Sequence, residues 1–267
     1  STLMRSSAAS DVYKRQNMHI VHLQNIGENG RIVIDKGRKE IFFLFLLHYN
    51  DTCKVNQQFT GGECKVEKLN IQTAELALKE ASESNPGAWA DHSRFVAEAC
   101  KNITSHCKDL SSEQAYIFGL LHDIGRYAGV SSERHLIDGY RYCMERGWEK
   151  AAQICISHAF MIQDIATSIG EFDVSDEDYL FMKEFVANAV YDDYDRLVQL
   201  CDALAMPSGF CLLEKRFVDV TMRYGVHPAT IDRWKKILEI KERFEDQIGC
   251  SIYACLLYTS DAADDRI

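Results

Sequence analysis

Proline is scarce in this chain. Only three stand among 267 residues, which suits long helices better than a fold of many tight turns. Long apolar runs are missing too. The strongest, over residues 41–47, is far too short to cross a bilayer, so no membrane-spanning segment is expected. Positive charge is in deficit, with 30 Lys and Arg against 40 Asp and Glu and a net charge of −10. A general nucleic-acid-binding surface does not fit that balance. Phosphate binding still does, provided a metal ion supplies the local positive field. The ten cysteines contain no CxxC pair, and no secretory signal precedes them. Cys100, Cys143, Cys155, Cys201 and Cys211 fall inside apolar helical stretches, which reads as reduced, buried thiols of a cytoplasmic protein rather than a disulfide framework. There is no internal repeat and no low-complexity segment. What remains is a globular composition, 46% hydrophobic and 26% charged, able to bury a core.

The two ends carry an unusual signature. Residues 6–16 read SSAASDVYKRQ and residues 255–265 read CLLYTSDAADD. Both resemble translations, on opposite strands, of one transposase adapter used in sequencing libraries. GTGTATAAGAGACA encodes much of the first, and its reverse complement TGTCTCTTATACAC encodes much of the second. Residues 1–16 and 255–267 are therefore set aside as adapter-like artefacts. Residues 17–65 allow two readings: a small appended β hairpin around Asn29-Gly30, or translated upstream DNA. The second is favoured, because Gly61-Gly62-Glu63 can be encoded by a purine-rich ribosome-binding tract with Val66 as a GTG start.

From residue 66 to 254 nothing alternates with period two, and the pattern is helical throughout. Asn70 caps a helix reaching about residue 83, with Ile71, Ala74, Leu76, Ala77 and Ala81 apolar. A second spans 88–106, with Phe95, Val96, Ala99, Cys100 and Ile103 facing inward. A third opens on Ser111, with Gln114 placed for a capping box, and closes on Gly125 as a left-handed C-cap. Further helices cover 133–146 and 149–158. A sixth opens on Ser175, a seventh spans 192–206 and an eighth 210–224. The last starts with Pro228 in its first turn and ends at Gly249. The expectation is a single all-α domain.

Chemistry concentrates in Gly119-Leu120-Leu121-His122-Asp123-Ile124-Gly125-Arg126. A histidine and an aspartate end an apolar helix, where exposed carbonyls favour a cation. His92, His135 and His158 each lie on a predicted helix, or at its end, beside apolar residues. Asp202 sits in the apolar stretch Leu200-Cys201-Asp202-Ala203-Leu204, and a buried carboxylate needs a partner. Arg126 is placed to reach a phosphate oxygen or, equally, to be an exposed helix-end cation. Arg134 and Arg196 are weaker candidates. His106 and His227 read as surface and structural residues. The Cys155 and His158 spacing reads as core packing rather than a zinc pair, and the Trp234/Phe244 pair as core.

A histidine, then a His-Asp doublet inside LLHDIG, then a distant aspartate in an apolar helix resembles the HD superfamily of metal-dependent phosphohydrolases. The resemblance covers roughly residues 88–206. It implies an all-α scaffold with His92, His122, Asp123 and Asp202 as ligands of a divalent ion. Arg134-His135-Leu136-Ile137-Asp138-Gly139 and the helix closing on His158 are similar to the two-metal, HDIG-motif branch. That similarity implies Asp123 as the bridge between ions, with His92 and Asp202 completing the ligands of one ion and His135 and His158 those of the other. It further implies cleavage of a small phosphate ester or anhydride, such as a nucleotide, by metal-activated hydroxide. Asp123 and, from its place one residue after Gly125, Arg126 are the candidate catalytic residues. Imidazole and carboxylate ligands suit Fe, Mn, Zn or Co, one or two ions per chain. The expected partner is a small phosphorylated substrate, with no nucleic acid and no membrane. A di-iron oxygenase of HD type and a catalytically silent nucleotide-binding HD module are the rival readings. No glycine-tyrosine-proline motif follows the metal segment, which sets aside the cyclic-dinucleotide phosphodiesterase branch.

Overall fold

A computed structural model describes residues 68–256 of the chain. The expectations for residues 1–16 and 17–65 lie outside the described residues, as does that for residues 255–267 beyond Leu256. Those described form an all-α domain. Helices α1 (Ile71–Ser84), α2 (Trp89–Thr104) and α3 (Ser112–Leu121) come first, followed by a 3-10 turn, Ile124–Ala128. Helices α4 (Arg134–Met144), α5 (Glu149–Ser157), α6 (Asp176–Asn188) and α7 (Asp193–Ala203) continue the bundle, with a second 3-10 turn, Ile165–Thr167, before α6. Strands β1 (Ala205–Met206) and β2 (Gly209–Phe210) then make a minimal antiparallel ladder, with Ala205 opposite Phe210. Helices α8 (Leu213–Tyr224), α9 (Thr230–Ile248) and α10 (Ile252–Leu256) close the domain. No described helix is long and apolar enough to cross a membrane.

The helix starts follow their caps. Asn70 accepts from the Thr73 amide and the Thr73 hydroxyl accepts from the Asn70 amide, a complete capping box. Ser175 accepts from Asp178, with three acidic residues in the first turn of α6 where the dipole favours them. At α3, Ser111 accepts from the Gln114 amide as expected. The box is closed differently, because the Tyr194 hydroxyl donates to Gln114 Oε1 and accepts from the Ser111 amide. One tyrosine of α7 therefore fixes the start of the helix that delivers His122.

Several boundaries differ from the sequence reading. Helix α7 stops at Ala203 rather than near Pro207, because the chain turns into the β1–β2 ladder. Pro228 lies two residues ahead of α9 rather than in its first turn, whereas Gly249 does end that helix in the left-handed region at φ 73°. On α1 the buried face is Ala74, Ala77, Leu78 and Ala81, so Leu76 points outward.

The core lies where α2, α3, α4, α5 and α7 meet, and Val96, Ile103, Leu120, Leu136, Ile154 and Leu200 are fully buried. Two glycines permit the close crossings. A Cβ on Gly119 would stand 2.6 Å from the Ala97 Cα, so α3 lies directly on α2. Gly125 plays a part other than the expected cap. It sits inside the first 3-10 turn, where a Cβ would stand 2.0 Å from the His135 carbonyl oxygen and 2.3 Å from the Gly139 amide. Its lack of a side chain lets that turn press against α4. The eight cysteines among the described residues are all free.

Candidate metal centre

Helix ends assemble the site. His92 comes from the first turn of α2, His122 caps α3, His135 opens α4, His158 caps α5 and Asp202 lies in the last turn of α7. Asp123 follows His122 with φ −105° and ψ 14°, the bridge conformation frequent at functional positions. All six expected residues are brought to one place. The His122 ring meets His92 and His158 edge to face, with centroids 5.4 and 4.9 Å apart, and His135 lies tilted against His158 at 5.9 Å.

Backbone carbonyls fix the protons of three imidazoles. His122 Nδ1 lies 2.7 Å from the Gly119 oxygen and His158 Nδ1 3.1 Å from the Ile154 oxygen. His135 Nδ1 bonds the Ser132 oxygen. A carbonyl only accepts, so each neutral ring carries its proton on Nδ1 and turns the Nε2 lone pair inward. These lone pairs face a carboxylate. Asp123 Oδ1 lies 3.6 Å from His158 Nε2 and 3.2 Å from His135 Nε2, and Asp123 Oδ2 lies 3.8 Å from His122 Nε2. His122 Nε2 and Asp123 Oδ1 are buried with no hydrogen-bond partner. Acceptors gathered without a donor between them repel unless a cation or a proton joins them. The donor set, mixed nitrogen and oxygen at coordinating spacing, fits a divalent ion. Two triads bring their donor atoms within 4.8 Å of one another: His92, His122 and Asp202, and His122, Asp123 and His158. His122 belongs to both, and His135 to neither.

Electrostatics hold the donors in ligating form. Burial lowers the His122 pKa to about 4, with His158 and His92 adding to it and Asp123 opposing it. Burial likewise lowers His158. Burial alone raises the Asp123 carboxyl, yet the Arg126 guanidinium, His122 and His135 overcome it and hold the group well below the usual carboxylate range. Asp202 is also depressed, where the His92 hydrogen bond and the Arg216 charge outweigh burial. His92 Nε2 lies 2.9 Å from Asp202 Oδ1.

Arg126 turns into the cluster. Its Nε donates to Asp123 Oδ2 at 2.7 Å, and its Nη2 lies 3.3 Å from His135 Nε2. Arg134 pairs instead with Asp138, and Arg196 is committed to the Met161 carbonyl and Gln199. His106 is exposed and His227 bonds the Tyr224 carbonyl. Cys155 is buried against Cys143 and the Leu121 carbonyl, apart from the donors.

A cleft of about 530 Å³ opens over the cluster. Three lining features escaped the sequence reading. Arg216 reaches Asp202 Oδ1 at 3.4 Å, and Arg233 donates to the Ala159 and Thr167 carbonyls. Phe217 and Trp234 stack with centroids 5.1 Å apart and planes 6° apart, so Trp234 faces the cleft beside Phe217 rather than the core beside Phe244. An arginine or aromatic at helical spacing looks like an ordinary helix residue, and only the meeting of α8 with α9 turns these toward the donors.

Residues 70–171 match the family model of the HDOD domain. Searches of curated proteins and of solved structures returned no match. The matched segment contains His92, His122, Asp123, Arg126, His135 and His158, whereas Asp202 and the α8–α9 wall lie beyond it. HD domains bind divalent metals, and the converging donors agree with that property. The match specifies no branch within the superfamily. The similarity to the HDOD domain thus covers residues 70–171 of an all-α fold whose later helices supply the remaining wall of the site.

Proposed function

We propose that this protein is a metal-dependent phosphohydrolase that cleaves a small phosphate ester or anhydride, most simply a nucleotide. One observation carries the reading: His122, His158 and Asp123 turn acceptor atoms toward one another with no donor between them, which a divalent ion resolves. An ion of Fe, Mn, Zn or Co held by His122, Asp123 and His158 would supply hydroxide at neutral pH and polarise the attacked phosphate. The chain's own residues do the rest. Asp123, held well below the usual carboxylate range by Arg126 and the neighbouring histidines, contributes negative charge at the centre at neutral pH. The cleft wall offers Arg216 to phosphate oxygens, and the outer faces of Phe217 and Trp234 to a flat ring.

The test is phosphate release from a panel of nucleoside mono-, di- and dinucleoside polyphosphates with Mn(II) or Co(II). Turnover that requires metal and disappears in His122→Ala and Asp123→Asn supports the reading. No turnover on any member with metal bound supports the second reading, a nucleotide-binding module without catalysis. The engagement of Arg126 with Asp123 and His135 favours that second reading, since it occupies groups that catalysis would use. A dioxygen-activating enzyme would instead show oxygen-dependent turnover with a mixed-valent iron pair.

A further inference from the structure

The ligand set implied by resemblance has room for two ions, but the positions around Asp123 are not equivalent. On one side lie His122 and His158, whose Nε2 atoms have no proton and no donor opposite them. On the other lies His135, whose Nε2 faces Asp123 Oδ1 at 3.2 Å and the Arg126 Nη2 at 3.3 Å. There the missing cation is already supplied. Arg126 Nε holds Asp123 Oδ2 at 2.7 Å, the oxygen that faces His122, while Oδ1, shared between His135 and His158, accepts no hydrogen bond; one guanidinium thus spans the carboxylate and the His135 imidazole that a second ion would have to join.

We propose that Arg126 is a built-in substitute for the second metal ion, so that the site takes a single divalent ion centred on His122. This rests on the reading of the cluster as a metal centre, and concerns how many ions it takes. A second ion beside Asp123 and His135 would carry two positive charges against a guanidinium already bonded to both. Charge repulsion and competition for the same lone pairs both oppose its entry. The attachment is reinforced from behind, because the Arg126 carbonyl accepts from Asn85 Nδ2 at 2.7 Å and fixes the turn that carries the guanidinium. His135 is then a positioning residue for Arg126, with its own orientation set by the Ser132 carbonyl.

The experiment is a count of Mn(II) bound per full-length chain by elemental analysis, with electron paramagnetic resonance of the same samples. Wild type is expected to bind one ion with a mononuclear signal. Arg126→Ala is expected to bind two with an exchange-coupled signal, and Arg126→Ala with His135→Ala is expected to return to one. His135→Ala alone is expected to keep the single ion. Circular dichroism checks the fold, and Arg126→Met, which keeps most of the side-chain volume, replaces Arg126→Ala if the latter does not fold. Two ions in wild type, or one ion in both wild type and the folded Arg126 variants, overturns the inference and leaves the metal-centre reading standing. No ion in any of the proteins overturns both.

Discussion

Gly125 lies against the backbone of His135 so closely that a single added methyl group would stand 2.0 Å from the His135 carbonyl oxygen. The contact joins the turn that presents Asp123 and Arg126 to the helix that presents His135. Gly125→Ala must push the two segments apart. A loss of about 3 kcal/mol is expected, at the upper end for overpacking because backbone rather than a flexible side chain is in the way. Urea unfolding measures it. A loss under ~0.5 kcal/mol would show that the two segments are not in contact.

Asp195 is a second support, hidden completely at the α5–α7 interface. It accepts from Lys150 at 2.6 Å, from Gln153 at 2.9 Å and from Ser157 at 2.6 Å, and from the Asp192 amide at 2.9 Å. Ser157 precedes His158, and Asp195 is on the helix that carries Asp202. Asp195→Ala leaves the Ser157 hydroxyl and the Asp192 amide without this acceptor, while Lys150 keeps Asp192 and Gln153 keeps the Val190 carbonyl, and it is expected to cost about 3 kcal/mol. Lys150→Met, whose ammonium is partly exposed, should cost well under half of that. Equal costs in chemical denaturation would contradict this account.

Asp173 holds the loop before α4, accepting from the Ser132 and Arg134 amides at 3.0 and 2.7 Å. Burial favours its neutral form, but these amide bonds together win and depress its pKa. A depressed carboxylate stabilises the fold above its ordinary pKa and loses that contribution as pH falls through the lowered value. The loop that orients His135 should therefore loosen only below about pH 4. Hydrogen exchange at Ser132 and Arg134 reports it, and Asp173→Asn should give the same loosening at neutral pH. Unchanged protection in the variant would remove Asp173 from this part.

Arg216 is expected to act on phosphate rather than on the ion. Arg216→Ala should raise the KM for a phosphorylated substrate about tenfold, equivalent to ~1.4 kcal/mol, without weakening metal binding, because the depressed Asp202 loses a competing cation. Calorimetric titration of Mn(II) beside steady-state kinetics separates the two. Lost metal affinity would place Arg216 among the supports of the ion.

The centre was legible in the sequence because its residue types are costly to bury and fall at helix ends in an apolar setting. His122 and Asp123 close an apolar helix, His158 follows Cys155-Ile156-Ser157, and Asp202 interrupts an apolar face. The caps at Asn70, Ser111, Ser175 and Gly249 were legible because capping is local chemistry. The role of Gly125 was not, since a close approach to a helix ten residues onward leaves no mark beside the glycine itself. Nor was the inward turn of Arg126 favoured over an exposed helix-end position. Leu76 and Leu78 show the same limit on a small scale, because a face rich in alanine leaves the rotation of α1 to its packing partners.

The metal content of the purified chain tests the central claim most directly. Protein prepared without chelator is expected to carry a divalent ion, and His122→Ala, which removes the donor shared by both triads, is expected to carry none while keeping its helical circular dichroism. A folded wild-type protein that binds no divalent ion when Mn(II), Co(II), Zn(II) and Fe(II) are each offered in excess would contradict the account.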